Sequence, residues 1–170
     1  MAAPFVPISG PIVGTSIYVE NSIVARDTAL TLPEVAAVMV DVNATGTLSL
    51  PCWQLIDNME ASITKIGVDL GLRSLLVPEP RNLEVRWAQT VTDANVTTKN
   101  VGCKAFMRAI PSVLPGIGLT VGEQSENECT LTVVRYQLYV DGAEMWLIDK
   151  LTGQVRIAGT DYGAGVSSLL

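Results

Sequence analysis

A mainly β, antiparallel sandwich or barrel-like domain with one short flanking helix is the fold the 170-residue chain predicts, on three observations. Valine, isoleucine and threonine supply 47 residues, the branched side chains that sit best on a pleated, half-buried surface. Stretches of strict apolar–polar alternation recur between turn signals. Only residues 68–77 carry apolar side chains at helical spacing. The length fits one domain, and is enough for a hydrophobic core without disulfide or metal staples.

Taken in order, residues 1–15 are rich in proline and glycine, with Gly10-Pro11 adjacent, and read as an extended N-terminal arm. Residues 16–24 and 27–32 read as short strands. Pro33 interrupts; 34–42 is apolar and fits either a core strand or an exposed one. Residues 43–47 (Asn-Ala-Thr-Gly-Thr) form a polar tip, and 48–50 return as a strand closed by Pro51. Residues 33–52 therefore read as a long projecting hairpin or loop. In 59–66, Met59, Ala61 and Ile63 share one face while Glu60, Ser62 and Thr64 share the other, the signature of a sheet with one wet side. Gly67 ends that strand. The helix of 68–77 places Val68, Leu72, Leu75 and Leu76 on one stripe and stops before Pro78 and Pro80.

Alternation resumes at 83–91, with Leu83, Val85 and Trp87 inward, and at 101–110, with Val101, Cys103, Ala105 and Met107 opposed to Lys104, Phe106 and Arg108. Residues 111–122 form a connection punctuated by proline and glycine, and 123–128 an acidic loop. Residues 129–140 form the longest strand. Asp141-Gly142 joins it to 143–150 as a type I′ hairpin, because that turn needs positive φ at both central positions. A last strand follows at 154–158, then a tail of small residues. The organisation is an arm (1–15), one β-domain (16–163) and a C-terminal tail (164–170).

The chain contains no histidine, which removes Ser-His-Asp and Cys-His nucleophile pairs, histidine bases and histidine metal sites. Net charge is −6 and the isoelectric point about 4.5, the wrong sign for a surface that grips DNA or an anionic membrane. The longest pure apolar run, 35–40, is far short of a bilayer span. The first basic residue is Arg26, so no positively charged secretory n-region is expected. Cys52, Cys103 and Cys129 are odd in number and widely spaced, as for reduced, buried thiols. Asp57, Glu60, Asp69, Asp141, Glu144 and Asp149 offer carboxylates, but no spacing singles out an acid–base pair. Glu123, Glu126 and Glu128 do not match a calcium loop. A monomeric binding module with Trp53, Trp87 and Trp146 along a groove is the competing non-enzymatic reading.

Three segments carry a resemblance over residues 16–163: TLSLPCWQLIDNMEASITKIGVDLGL, VTDANVTTKNVGCKAFMRAIPSVLPGIG and VRYQLYVDGAEMWLIDKLTGQVRIAGTDYG. In order and spacing they resemble the major tail tube protein of contractile-tailed bacteriophages, a family related to the tubes of R-type pyocins and type VI secretion systems. The resemblance implies a structural virion protein without catalytic residues, cofactor or metal. It implies hexameric rings stacked helically into the inner tube of a contractile tail, which surrounds a tape-measure protein and then conducts the genome. The implied partners are further copies of the chain, a sheath protein, the tape-measure protein, and baseplate hub and tail terminator proteins. The same resemblance implies that DNA passes transiently, that the chain binds no membrane, and that the virion tail is assembled in the host bacterial cytoplasm. The inner tube of a bacteriocin or secretion device is the alternative within this class.

In that family the arm and the hairpin bridge rings, which implies inter-ring contacts at Val35, Val38, Met39, Val40, Leu48 and Leu50. The polar sheet faces supply candidate channel-lining residues Glu60, Ser62, Thr64, Thr130 and Thr132. An acidic or neutral lumen leaves a polyanion mobile, where repeated basic rings would hold it.

Overall fold

The computed structural model describes residues 4–170; the first three residues of the expected arm lie outside the described residues. The chain runs β1 (Ile8–Val19), β2 (Ser22–Arg26), β3 (Ala29–Thr31), β4 (Ala37–Asn43), β5 (Thr47–Ile56), β6 (Met59–Ile66), α1 (Leu70–Leu75), β7 (Arg81–Thr92), β8 (Thr98–Val113), β9 (Glu126–Val140), β10 (Ala143–Asp149), β11 (Gln154–Ile157), β12 (Thr160–Asp161) and α2 (Ala164–Ser167). All strand pairs described are antiparallel. The main sheet has the order β12-β11-β10-β9-β8-β7-β1-β2, with β6 joined to β9 and β3 to β6. It is an open, forked sheet rather than a closed barrel.

The fork has a one-residue cause. Along β9, Asn127, Cys129, Leu131 and Val133 are buried, then Tyr136 and Leu138. The inward set changes from odd to even numbers because the β8 register steps from Arg108↔Arg135 to Ala109↔Val133, leaving Val134 unpaired as a bulge. Below the bulge the free edge of β9 takes β6 (Met59↔Val133); above it, β10 (Asp149↔Arg135). One strand thus feeds two branches that curl around a common core. That core contains Ile17, Met59, Ile63, Val85, Leu131, Tyr136 and Ile148, each at most 1% exposed.

Three local features depart from the sequence reading. Residues 8–15, read as arm, belong to β1: Ile8 pairs with Thr92 and the ladder runs on to Val19↔Leu83. Two register shifts, flanking Pro11 and Val13, obscure the alternation, and Pro11 stands at the first, where no ladder N–H is required. The strand expected over 16–24 is a hairpin instead, turning at Glu20-Asn21 with φ of 46° and 67°. The strand expected to close at Pro51 continues to Ile56; β5 lies in a two-stranded sheet, where proline on an outer edge costs no ladder bond. The Asp141-Gly142 turn has φ of 50° and 78°, as the type I′ hairpin requires.

The expected helix is shorter than its apolar stripe. Asp69 caps it by accepting from the Leu72 N–H at 2.9 Å, and Leu72 and Leu75 are buried while Val68 is exposed. The C-terminal tail contains the single-turn α2, held by Asp161, whose carboxylate accepts from the N–H groups of Gly163 and Ala164 at 2.8 and 3.1 Å.

Candidate assembly surfaces

The β4–β5 hairpin forms a sheet of its own. Pairing is Val38↔Cys52, Val40↔Leu50 and Val42↔Leu48, so these six side chains share one face of the ribbon. Met39↔Pro51 and Asp41↔Ser49 occupy the other, where Ser49 Oγ donates to the Asp41 carboxylate. Met39, Val40, Val42, Leu48 and Leu50 are between 42% and 57% exposed. An isolated two-stranded ribbon with an apolar face is marginal in water, so this hairpin presents a surface that another molecule can bury. Five of the six candidate inter-ring residues lie in it. Val35 precedes β4 and packs, half-buried, against the core; its place is at the hairpin base.

The register between β3, β6, β9 and β8 unites the candidate channel-lining residues. Glu60 faces Thr132, Ser62 faces Thr130, and Thr64 faces Glu128, giving three adjacent cross-strand rows on the sheet's outward side. Thr31 and Ala29 extend the rows on one flank, and Ile110 extends the first on the other. Glu60 accepts from Asn58 Nδ2 at 2.9 Å, and Ser112 Oγ donates to the Thr130 carbonyl at 3.1 Å. This patch is hydroxyl-rich and carries Glu60, Glu126 and Glu128.

Beyond the bulge the outward face changes sign. Arg108 and Arg135 stand directly opposite, and Arg86 opposes Lys104. Arg86 lies 4.6 Å from the Tyr18 ring centre and bonds Glu84 at 2.5 Å. Farther across, Arg156 bonds Glu144 through Nε and Nη2 at 2.5 and 2.9 Å, and Gln137 also donates to that carboxylate at 2.7 Å. The Arg156 guanidinium, helped by Gln137, holds the Glu144 carboxyl below its ordinary value, and Glu144 raises Arg156 in turn. The charge of −6 is therefore not spread evenly: four of the eleven basic residues, Arg86, Lys104, Arg108 and Arg135, share the outward face of β7, β8 and the upper half of β9.

Two exposed apolar surfaces escaped the sequence reading. Ile8, Ile12 and Val13 are 57–64% exposed on the half of β1 that lies beyond its β2 pairing. The β8–β9 connection displays Leu114, Ile117, Leu119 and Val121, with Leu119 at 85%. Four apolar residues recurring every two or three positions in a non-helical linker were the available signal.

The family model for phage tail tube protein FII matches residues 11–170. The chain belongs to that family. It is a phage tail tube protein, and the resemblance to tubes of contractile tails read from its three segments stands. Among solved structures, the tail tube protein is similar to a chain in a cryo-EM structure of the anti-feeding prophage cap, its tube terminating cap. Identity is 13%, coverage is 74% of this chain and 87% of that one, and the TM-score is 0.50. It is also similar to a chain in a cryo-EM structure of an extracellular contractile injection system, the PVC sheath/tube terminator in the extended state. There the identity is 12%, coverage 81% and 98%, and the TM-score 0.50. At such identities the likeness is one of fold. No curated protein matches the chain.

Proposed function

We propose that copies of this tail tube protein close edge to edge into hexameric rings that stack helically into the inner tube of a contractile tail. The observation that carries this reading is the coexistence of open sheet edges with an apolar hairpin standing outside the main sheet. Unpaired edge N–H and C=O groups recruit strands, and ring closure satisfies them without limitless growth in the plane. Stacking is a heterologous contact repeated along an axis, the geometry that builds filaments. In this reading Val38, Met39, Val40, Leu48 and Leu50 bridge rings, with Val35 at the hairpin base, and the arm contributes through residues 4–7 and the free half of β1.

Glu60, Ser62, Thr64, Thr130 and Thr132 line the channel, which first surrounds a tape-measure protein and later conducts DNA. The basic outward face of β7, β8 and upper β9 lies away from the channel. A sheath encloses the tube; a baseplate hub and a tail terminator hold its ends; assembly takes place in the host bacterial cytoplasm. The chain performs no catalytic step. In the bacteriocin or secretion alternative the same tube forms and carries no genome.

Sedimentation and negative-stain imaging of the purified chain across a concentration series test the proposal. Rings or tubes with a central channel are expected. A chain that stays monomeric at all concentrations, and is missing from the shaft of intact particles, overturns it.

A further inference from the structure

At the hairpin base, Pro33, Glu34, Val35, Trp53, Trp146 and Ile157 enclose an almost wholly apolar slot of about 340 Å³. Trp53 comes from β5 and Trp146 from β10, so the slot is walled by the hairpin on one side and the main sheet on the other. Its lining is aromatic and aliphatic, so the occupant it fits is an apolar or aromatic group.

The chain carries such a group elsewhere. Residues 4–7, Pro-Phe-Val-Pro, precede β1 without regular structure, with Phe5 50% and Val6 75% exposed. Prolines at both ends fix φ and bias the segment to an extended conformation, so that docking it orders little additional chain. Extended proline-flanked segments characteristically dock in aromatic-lined grooves.

The segment cannot reach the slot of its own molecule. Trp146 is level with Leu138, Ala105, Val85 and Ile17 across the sheet, whereas Ile8 is level with Thr92. Val85 to Thr92 spans roughly 23 Å along the strand at ~3.3 Å per residue. From Ile8 back to Phe5 the chain extends at most about 11 Å.

We propose that the slot receives residues 4–7 of a second copy of this chain, with the Phe5 ring between Trp53 and Trp146. The inference rests on the tube reading and supplies the receptor for its arm. It also gives Val35 a contact between copies, as a wall of the slot instead of a hairpin side chain.

The test uses the full chain with photoreactive benzoylphenylalanine at position 5, co-assembled with isotopically labelled chain, irradiated, and mapped by mass spectrometry. Cross-links between labelled and unlabelled chains, ending in peptides that carry Val35, Trp53 or Trp146, are expected. Cross-links within one chain, or ending elsewhere (the β4–β5 face or the 114–121 connection), overturn the proposal. Independently, Phe5→Asp should raise the concentration needed for assembly tenfold or more while Phe5→Leu changes it less than threefold; equal behaviour of both variants and the parent counts against it. Normal tubes with cross-links elsewhere sink the slot assignment alone. A parent chain that never associates sinks the tube reading and this inference together.

Discussion

Lys65 is 5% exposed, a rare position for a lysine, and every contact it makes serves the fold. Its ammonium donates to the Val24 carbonyl at 2.7 Å and to Asp69 Oδ1 at 2.6 Å, and Asp69 in turn caps α1. Gly71 leaves room for this arrangement, since a Cβ there would overlap the Val24 carbonyl oxygen and press on Lys65 Nζ. Lysine thus ties β2, β6 and α1 together at one point. Lys65→Met should cost about 1–2 kcal/mol, the loss of hydrogen bonds to a buried carbonyl and to a carboxylate that can rehydrate. Asp69 is 58% exposed, which keeps the figure below that for a fully buried pair.

The pair also sets a pH dependence. The Lys65 ammonium, with the Leu72 N–H, holds the Asp69 carboxyl below its ordinary 3.8 in the folded chain. Between that lowered value and 3.8 the unfolded chain binds more protons than the folded one, so stability rises with pH there. The contribution is complete above about pH 4 and is lost as pH falls through the folded value. Thermal melts between pH 2 and 5 should therefore show a shallower acid-side slope for Lys65→Met than for the parent. Parallel curves would show that Lys65 does not hold the Asp69 carboxyl down.

At the level of elements, β9 shows where sequence reading succeeds and where it stops. Strands 59–66, 83–91 and 101–110 and the Asp141-Gly142 hairpin were legible because one buried face imposes period two and one turn type needs positive φ. The 129–140 strand was legible as a strand, yet its change of phase at Val134 was not. A bulge is a property of the partner's register, which no single strand reveals. The same limit hid β1: its register shifts, beside proline and glycine, erase the alternation that marks a ladder. Glu20-Asn21 lacks the glycine that announces a tight turn, and Pro51 signals a stop that a two-stranded ribbon does not impose. The candidate channel residues were individually visible as polar alternates. Their meeting on one face was not, because Glu60↔Thr132 is fixed by the β6–β9 pairing alone.

Two predictions belong to this scale. Deleting Val134 joins Arg108↔Arg135 directly to Ala109↔Val133 as an unbroken ladder with both core sets still inward, so the variant should stay folded and lose only the bend at the fork, at about 1–3 kcal/mol read as a lowered melting temperature; Val134→Thr, which keeps the residue count, should melt within a few degrees of the parent. In the hairpin, Val40→Asp with Leu50→Asp puts two like charges on one exposed cross-strand pair. The folded monomer should lose no more than about 1 kcal/mol, while tubes shorten to isolated rings in negative-stain images. Full-length tubes from that double variant would remove the hairpin from the stacking contact.

For the whole molecule, the uneven distribution of charge matters more than its sum. Duplex DNA carries one negative charge per ~1.7 Å of axis, and only about 6–10 phosphate contacts give tight, salt-sensitive binding. A channel that repeats one lysine from every subunit would exceed that number within a few rings. Rows as hydroxyl-rich as those around Glu60 would avoid it, and the basic cluster of Arg86, Lys104, Arg108 and Arg135 sits beyond the bulge, on β7, β8 and upper β9. If Glu60 faces the channel, Glu60→Lys leaves the fold and the tube intact, because the side chain is exposed and among the described residues it bonds only Asn58. Particles bearing the variant should then release DNA more slowly than the parent, with the difference narrowing as salt rises and screens the contacts. Ejection kinetics measured on morphologically normal tails at two ionic strengths decide the matter. Unchanged kinetics at low salt place Glu60 outside the channel and assign the β3–β6–β9 face to another surface of the tube.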